Sequence, residues 1–533
     1  MIHLRDYQIS QFLRSARMGI VMQDSVAMIQ NPRGVEEAEI TIAKLLGGIV
    51  GKVPKPLQKM KVSSLVWDSR QVIKGSVFFA ISGEKTDGNT FIPEALQKGA
   101  IAVLTDKPNK GREHTNVFIV ENVRKTLAVL AKRFYRSPDE ELNVIGVTGT
   151  NGKTTVTRMI KHLLEQDAEK CGLIGTIEYL LGDRVLPAKR TTPESEEVFA
   201  LMREMVSEDC FSAVMEVSSH GLEQHRVDGV TFDTVVFLNL TPEHLDYHRS
   251  MEEYFKAKRK LFSGDIGSRS KNAVINVDCE FGRRLVEELS GSEMNVITYS
   301  IDGDADFVAK KVACGPKGLS FQLNGPEGSQ KVNSELMGCF NVENTLAALA
   351  AGYACGLSQV RMISHMKSMD CVPGRMQKIE EGQDFLVLVD YAHTADALER
   401  ALQNAKSLTT QKLHVVFGCG GDRDRSKRSL MMASACNVAD FVWATSDNPR
   451  TEKQERIFDD MLSGMDPKTA VRFVKDRENA IRECIAKAGT GDTVLIAGKG
   501  HETYQEVNGT MIPFDDREVS KKVLREILNN PKS

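Results

Sequence analysis

Apolar positions in this chain gather into short runs of strand length, separated by longer stretches in which they recur every three or four residues. From about residue 40 the pattern is that of a folded protein: residues 65–70 and 76–82 predict strand, turn, strand, and 92–98 predict a helix. A further helix over 126–135 stops at Ser137-Pro138, since proline cannot extend it. The buried-strand run 143–147 then leads into a glycine-rich loop and an amphipathic stretch ending at Leu164. Runs at 212–217, 234–240 and 273–277 alternate with helical segments, the pattern of a mostly parallel sheet covered on both faces. After Pro373-Gly374 the alternation starts again, with strands over 385–389, 414–417, 441–444 and 493–497. The expected fold class is α/β in three consecutive domains, 38–140, 141–373 and 374–533, the last a doubly wound, Rossmann-like sheet.

Composition narrows the setting. A chain of 533 residues exceeds one core and needs no staples. Its ten cysteines show no CxxC pair and no metal-ligand spacing, which predicts free thiols in a reducing cytoplasm rather than a disulfide framework or a structural zinc site. The net charge of -3, with both signs interspersed, excludes the broad basic face of a nucleic-acid binder. No apolar run approaches the roughly 18 residues of a membrane span. Residues 1–37 form an extension of unknown role: Arg5, Arg14 and Arg17 beside Phe12, Leu13 and Ile20 fit a transit-like helix, and Met18, Met22 or Met28 could be a later start.

The sharpest local signal is Gly149-Thr150-Asn151-Gly152-Lys153-Thr154-Thr155 between a predicted strand and helix. Glycines let amide groups close around a phosphate, the helix N-terminus adds partial positive charge, Lys153 reaches the terminal phosphates and Thr154 can ligate magnesium. The strict P-loop spacing is not met, because Val147 stands where the first glycine is expected. Glu216 and His244 follow two predicted strands, where ligands of open α/β sheets gather, and are candidate ligands for a nucleotide-bound metal or polar caps of loops.

With Thr191-Thr-Pro193, Glu216-Val-Ser-Ser-His-Gly-Leu222, Asn239-Leu-Thr-Pro-Glu-His-Leu-Asp-Tyr-His248, Gly338-Cys-Phe-Asn-Val-Glu-Asn344, Pro373-Gly-Arg-Met376 and Asp390-Tyr-Ala-His393 in this order, the sequence resembles the Mur ligases over about residues 40 to 525. The resemblance implies a UDP-sugar domain, a central P-loop-type ATPase and a C-terminal domain that closes over the site. It implies that Ser69, Arg70, Thr191, Thr192, Ser218, Gln224 and Arg226 hold a UDP-muramoyl dipeptide. It places ATP on the loop 149–155 with Asn344, Arg375, Asp390 and His393, and magnesium on Thr154, Glu216, His244 and a carbamylated Lys258. Lys153, Lys258 and His244 are then the catalytic group. Without the resemblance, Lys258 is one solvated lysine among several on a basic helix. Two departures stand out, Trp67 before Asp68-Ser-Arg70 and Glu243 where the family carries aspartate.

Asp447, Asn448, Pro449 and Arg450 resemble the signature of ligases that take meso-2,6-diaminopimelate, and Arg423, Gly498 and Glu502 match the other contacts to that substrate. Arg450 can fork onto the distal carboxylate that lysine lacks. The implied activity is ATP-dependent amide-bond formation in peptidoglycan precursor synthesis through an acyl phosphate, by a cytoplasmic monomer with small-molecule partners. A related ligase with L-lysine or another acceptor, or a silent scaffold that kept only the fold, are the alternatives.

Overall fold

The structure, a computed structural model, describes residues 40–83, 86–107, 115–267 and 269–529, so the extension 1–37 lies outside the described residues. Packing divides the chain into two units. One runs to Tyr299 and takes in Ala347–Ser358; the other comprises Ser300–Leu346 and Gln359–Ser533.

The first unit carries two sheets. Ser64–Val66 (β1), Ser76–Phe79 (β2), Ala102–Thr105 (β3) and Val117–Ile119 (β4) lie side by side, all parallel. Phe78 and Val103 pack with Ile92 and Ala95 of the helix Ile92–Gln97, whereas Val77, Phe79 and Leu104 join a core that includes Leu127 and Leu130 of the helix Val123–Phe134. Burial of both faces of β2 and β3 explains why these two strands read as largely apolar runs. The expected strand 65–70 is shorter than predicted: Ser69–Gln71 turns into a 3₁₀ helix because the Asp68 carboxylate accepts from the Arg70 amide.

The larger sheet uses Asn143–Thr148 (β5), Cys171–Ile174 (β6), Glu178–Leu181 (β7), Arg184–Pro187 (β8), Ser212–Glu216 (β9), Thr234–Phe237 (β10), Asn272–Asn276 (β11) and Asn295–Ile301 (β12). Their order is β12-β11-β10-β5-β9-β6-β7-β8, parallel except for the antiparallel β7 and β8. The chain passes from β5 to β6 and β9 on one side and then to β10 on the other. β5 is therefore the switch point, and its carboxyl end opens the crevice where ligands bind in such sheets.

In the second unit, Phe307–Gly315 (β13), Gly318–Gly325 (β14) and Gly328–Ser334 (β15) form an antiparallel meander. Gln377–Ile379 (β16), Leu386–Asp390 (β17), Leu413–Cys419 (β18), Phe441–Ser446 (β19), Ala470–Phe473 (β20) and Thr493–Ala497 (β21) make a sheet of order β16-β17-β21-β18-β19-β20, parallel except for β16. A last hairpin pairs Tyr504–Val507 (β22) with Thr510–Pro513 (β23) across Asn508-Gly509, both at positive φ (49° and 76°), the backbone such two-residue turns require. One expectation fails here. Cys314, at the end of β13, is bonded to Cys339, 25 residues on, and the other eight cysteines are free. The meander brings the two within a Cα separation of 5.7 Å, a proximity that no sequence spacing announces.

Within the first unit, Lys132 ties the end of its helix to the segment before β10. Its ammonium donates to Asp139 at 2.7 Å, the Gly229 carbonyl at 3.0 Å and Thr231 at 3.2 Å, while the Thr231 amide donates to the same Asp139 oxygen at 2.8 Å. Asp139 is fully buried, so removing the cation strands its charge. Lys132→Met should cost roughly 2–4 kcal/mol, measured as a lower urea midpoint for the transition of this unit; an unchanged midpoint would refute the tie.

Candidate active site

The loop after β5 is shaped by what surrounds it. A Cβ on Gly149 would stand 2.8 Å from the Leu238 side chain, and Gly152, at φ 89°, enters the helix Lys153–Gln166 in a conformation only glycine adopts without strain. The loop is pinned to the exit of β10: the Thr150 amide donates to the Asn239 carbonyl and the Asn151 amide to the Asn239 side chain, both at 2.9 Å. Lys153 curls back to the carbonyls of Gly149 (2.8 Å) and Thr150 (2.9 Å). Thr155 is buried beneath the loop. The Thr154 hydroxyl donates to Glu216, the buried last residue of β9, at 3.1 Å. The other Glu216 oxygen accepts from the Thr176 amide at 2.8 Å.

Lys258, on the helix Met251–Ser263, is fully buried and donates to the same Gly149 carbonyl at 2.9 Å, beneath the Tyr254 ring. Burial, then the charge of Lys153, holds its amine well below the ordinary lysine value. A neutral amine is the form that can capture CO₂. His244 stands in the left-handed region (φ 55°), its half-exposed ring edge-on to His220 at 4.9 Å. Among the described residues no three His, Cys, Asp or Glu side chains gather as a ligand set. Of the expected magnesium group the structure joins Thr154 to Glu216 directly, and their hydroxyl and carboxylate oxygens suit a hard cation.

The residues assigned to the UDP-dipeptide close up around β9. Thr192 donates to the Glu216 carbonyl at 2.8 Å and accepts from the Ser218 amide at 3.0 Å; Arg226 donates to the Thr192 carbonyl at 2.9 Å and to Gln224 at 2.6 Å; Thr191 meets Thr176 at 3.0 Å. Ser69 is buried against Glu94, whereas the Arg70 side chain is largely in solvent, paired with Asp68. Sequence reasoning missed Glu194, whose buried carboxylate gathers Arg124 (2.7 Å), Arg190 (2.5 Å) and Arg226 (3.2 Å). Trp67, the residue that stood out in sequence, lies under the Arg190 guanidinium. No periodicity marks a carboxylate that joins its neighbour Arg190 to two arginines from distant segments.

In the second unit, Asn344 donates to Asn341 at 2.8 Å, and Arg375 lies over the Tyr391 ring. Asp390 accepts from the amides of Met376 (2.7 Å) and Ala392 (2.9 Å), and burial raises its carboxyl above the usual range. His393 hydrogen-bonds the Tyr391 carbonyl at 2.9 Å. The seven residues expected to read the acceptor lie beyond β18, β19 and β21. Arg423 and Arg450 flank Gly420, Asp447 crowds Gly498, Asn448 donates to Glu502 at 3.1 Å, and Arg450, itself at φ 53°, meets Glu506 at 2.9 Å. The Pro449 carbonyl sits so close to Gly421 that no side chain fits there. Beneath them Arg477, paired with Asp516 at 2.7 Å and wholly buried, donates to the carbonyls of Ser446 and Ala497, the last residues of β19 and β21.

Three family descriptions match the chain in order: "Mur ligase family, catalytic domain" at residues 61–135, "Mur ligase middle domain" at 147–352 and "Mur ligase, glutamate ligase domain" at 374–500. The chain belongs to the Mur ligase family. It is 42% identical over 471 residues to a UDP-N-acetylmuramoyl-L-alanyl-D-glutamate–2,6-diaminopimelate ligase of Geobacillus thermodenitrificans, covering 87% of this chain and 95% of that one. The enzyme of the same name from Caldanaerobacter subterraneus is 40% identical over 487 residues, covering 91% and 99%. A solved structure of a ligase of that name superposes with a TM-score of 0.67 at 34% identity, covering 92% of this chain and 99% of that one. This Mur ligase is thus an ATP-dependent, amide-bond-forming enzyme of three α/β domains.

One acidic side chain beside the dipeptide residues gives the Mur ligase a pH signature. Desolvation, then the neighbouring charges of Glu194 and Glu197, pushes the Glu196 carboxyl from 4.5 up to about 8. A raised acid binds its proton more tightly when folded, so its contribution to stability is complete below pH 4.5 and is lost as pH rises towards about 8. Glu196→Gln should flatten thermal stability across that window and stabilise the enzyme at its alkaline end; parallel wild-type and variant profiles would refute the assignment.

Proposed function

We propose that this Mur ligase adds meso-2,6-diaminopimelate to UDP-N-acetylmuramoyl-L-alanyl-D-glutamate at the expense of ATP, in the cytoplasmic synthesis of peptidoglycan precursor. The observation that carries the acceptor choice is the cluster around Arg450: a guanidinium and the Glu502 carboxylate, joined through Asn448, suit the carboxylate and ammonium at the far end of diaminopimelate.

In this reading a carboxylate of the D-glutamyl residue attacks the γ-phosphorus of ATP, ADP departs, and the resulting acyl phosphate yields inorganic phosphate when the diaminopimelate amine attacks its carbonyl carbon. Lys153 stabilises negative charge as it shifts within the phosphoryl group, and the amino end of the helix Lys153–Gln166 orients the phosphates. A magnesium ion on Thr154 and Glu216, with His244 and a carbamylated Lys258 in support, supplies further charge neutralisation when bound. Thr191, Thr192, Ser218, Gln224 and Arg226 hold the dipeptide so that its carboxylate reaches the phosphate in line, and Ser69 and Arg70 take the uridine end. The family resemblance assigns Asn344, Arg375, Asp390 and His393 to the nucleotide as well. Exclusion of water protects the acyl phosphate, which would otherwise hydrolyse.

Phosphate release should require the UDP-dipeptide and proceed far better with diaminopimelate than with lysine. Arg450→Ala should lower kcat/KM for diaminopimelate roughly 30-fold to several-thousand-fold, with KM rising more than kcat falls. Wild-type preference for lysine would overturn the acceptor, and turnover without the dipeptide would overturn the ligase chemistry.

Lys258→Ala should be nearly inactive, and short-chain carboxylic acids should partly restore it by replacing the carbamate anion. Restoration by amines instead would show that a cationic lysine is what the site needs.

A further inference from the structure

The acceptor cluster contains a buried cation that the reading above does not use. Lys499 lies between Gly498 and Gly500, both at positive φ (114° and 52°), and is fully buried. Its ammonium donates to Glu502 Oε2 at 3.0 Å and to Asn448 Oδ1 at 3.2 Å. Asn448 Oδ1 also accepts from the Glu506 amide at 2.9 Å, and Asn448 Nδ2 donates to Glu502 Oε2 at 3.1 Å. The side chain of Glu506 in turn meets Arg450 Nε at 2.9 Å.

We propose that Lys499 is a positioning residue for acceptor recognition, fixing Glu502 and, through Asn448 and Glu506, Arg450 in the geometry that reads both charges of the acceptor's distal amino-acid head. The proposal rests on the acceptor reading given above. Two facing donors hold Asn448 Oδ1, so a flip of the amide would set its NH₂ group against the ammonium and the Glu506 amide. The Asn448 side chain is thereby locked, and Glu502 Oε2 is engaged by both Asn448 and Lys499. Oε1 is left to accept from an incoming ammonium. An uncharged residue of the same size could fill the space, but it could hold neither the Glu502 carboxylate nor the Asn448 amide oxygen. Lys499 therefore joins the ammonium-receiving carboxylate and the carboxylate-receiving guanidinium to one buried charge.

The test is steady-state kinetics of Lys499→Met with diaminopimelate, with 2-aminopimelate, which lacks the distal ammonium, and with varied ATP. The expected result is a roughly 10- to 100-fold rise in KM for diaminopimelate, a kcat changed much less, an unaltered KM for ATP, and a smaller difference between the two acceptors. Lys499→Arg, which keeps the charge, should recover part of the loss. In a Glu502→Gln background, Lys499→Met should add little, because the two act on one contact. If Lys499→Met does not fold, Lys499→Gln carries the same comparison. Equal rises in both KM values, or an unchanged acceptor KM, would overturn the proposal. Arg450→Ala run in parallel separates the two failures: if it weakens diaminopimelate while the Lys499 variants do not, only the role of Lys499 is lost, and if neither changes acceptor use, the acceptor reading itself fails.

Discussion

Two ammonium groups converge on one carbonyl oxygen. Lys153 and Lys258 both donate to Gly149, and the second is shut away from water. Burial first, and then the like charge of Lys153, makes a protonated Lys258 costly, and the buried amine is the one that yields. The loop is consequently suited to negative charge, which the proposed function would supply as a nucleotide phosphate at Lys153 or by conversion of the Lys258 amine into an anion. Its form depends on that demand. Asn239 takes two loop amides from behind, which fixes the turn.

The strands and the glycine loop were legible because their signals are local: apolar runs of the right length, a proline stop, and a loop between strand and helix. Antiparallel pieces escaped the reading. β7 and β8 carry polar residues such as Glu178 and Arg184, and the meander β13–β15 mixes polar with apolar positions, so neither stood out as an unbroken apolar run. Asn508-Gly509 was a visible hairpin signal that went unused. Among polar residues, the motif members were legible as short sequence runs, whereas Glu194, Arg477 and Lys499 did not announce themselves. Each draws its meaning from partners supplied by other segments, and a charged residue in isolation reads as surface.

The same economy organises both large sheets. Residues that must approach a ligand leave the carboxyl ends of parallel strands, and a buried polar group beneath fixes the angle at which they leave. Glu216 does this in the first unit by accepting from Thr154 and Thr176. Arg477 does it in the second, where Asp516 balances its charge while its remaining donors are spent on the ends of β19 and β21. Burying such ions is costly, and complete hydrogen bonding is what makes it tolerable.

The acceptor cluster is contained in a short stretch of the gene. Arg423 to Glu506 spans every side chain in it, and all belong to one unit, apart from the loop that faces phosphate. If this cluster reads the acceptor as proposed, selection can revise the amino acid that enters the cell wall by altering a few neighbouring codons. A lineage that changes the chemistry of its wall has no need to reinvent the enzyme that builds it.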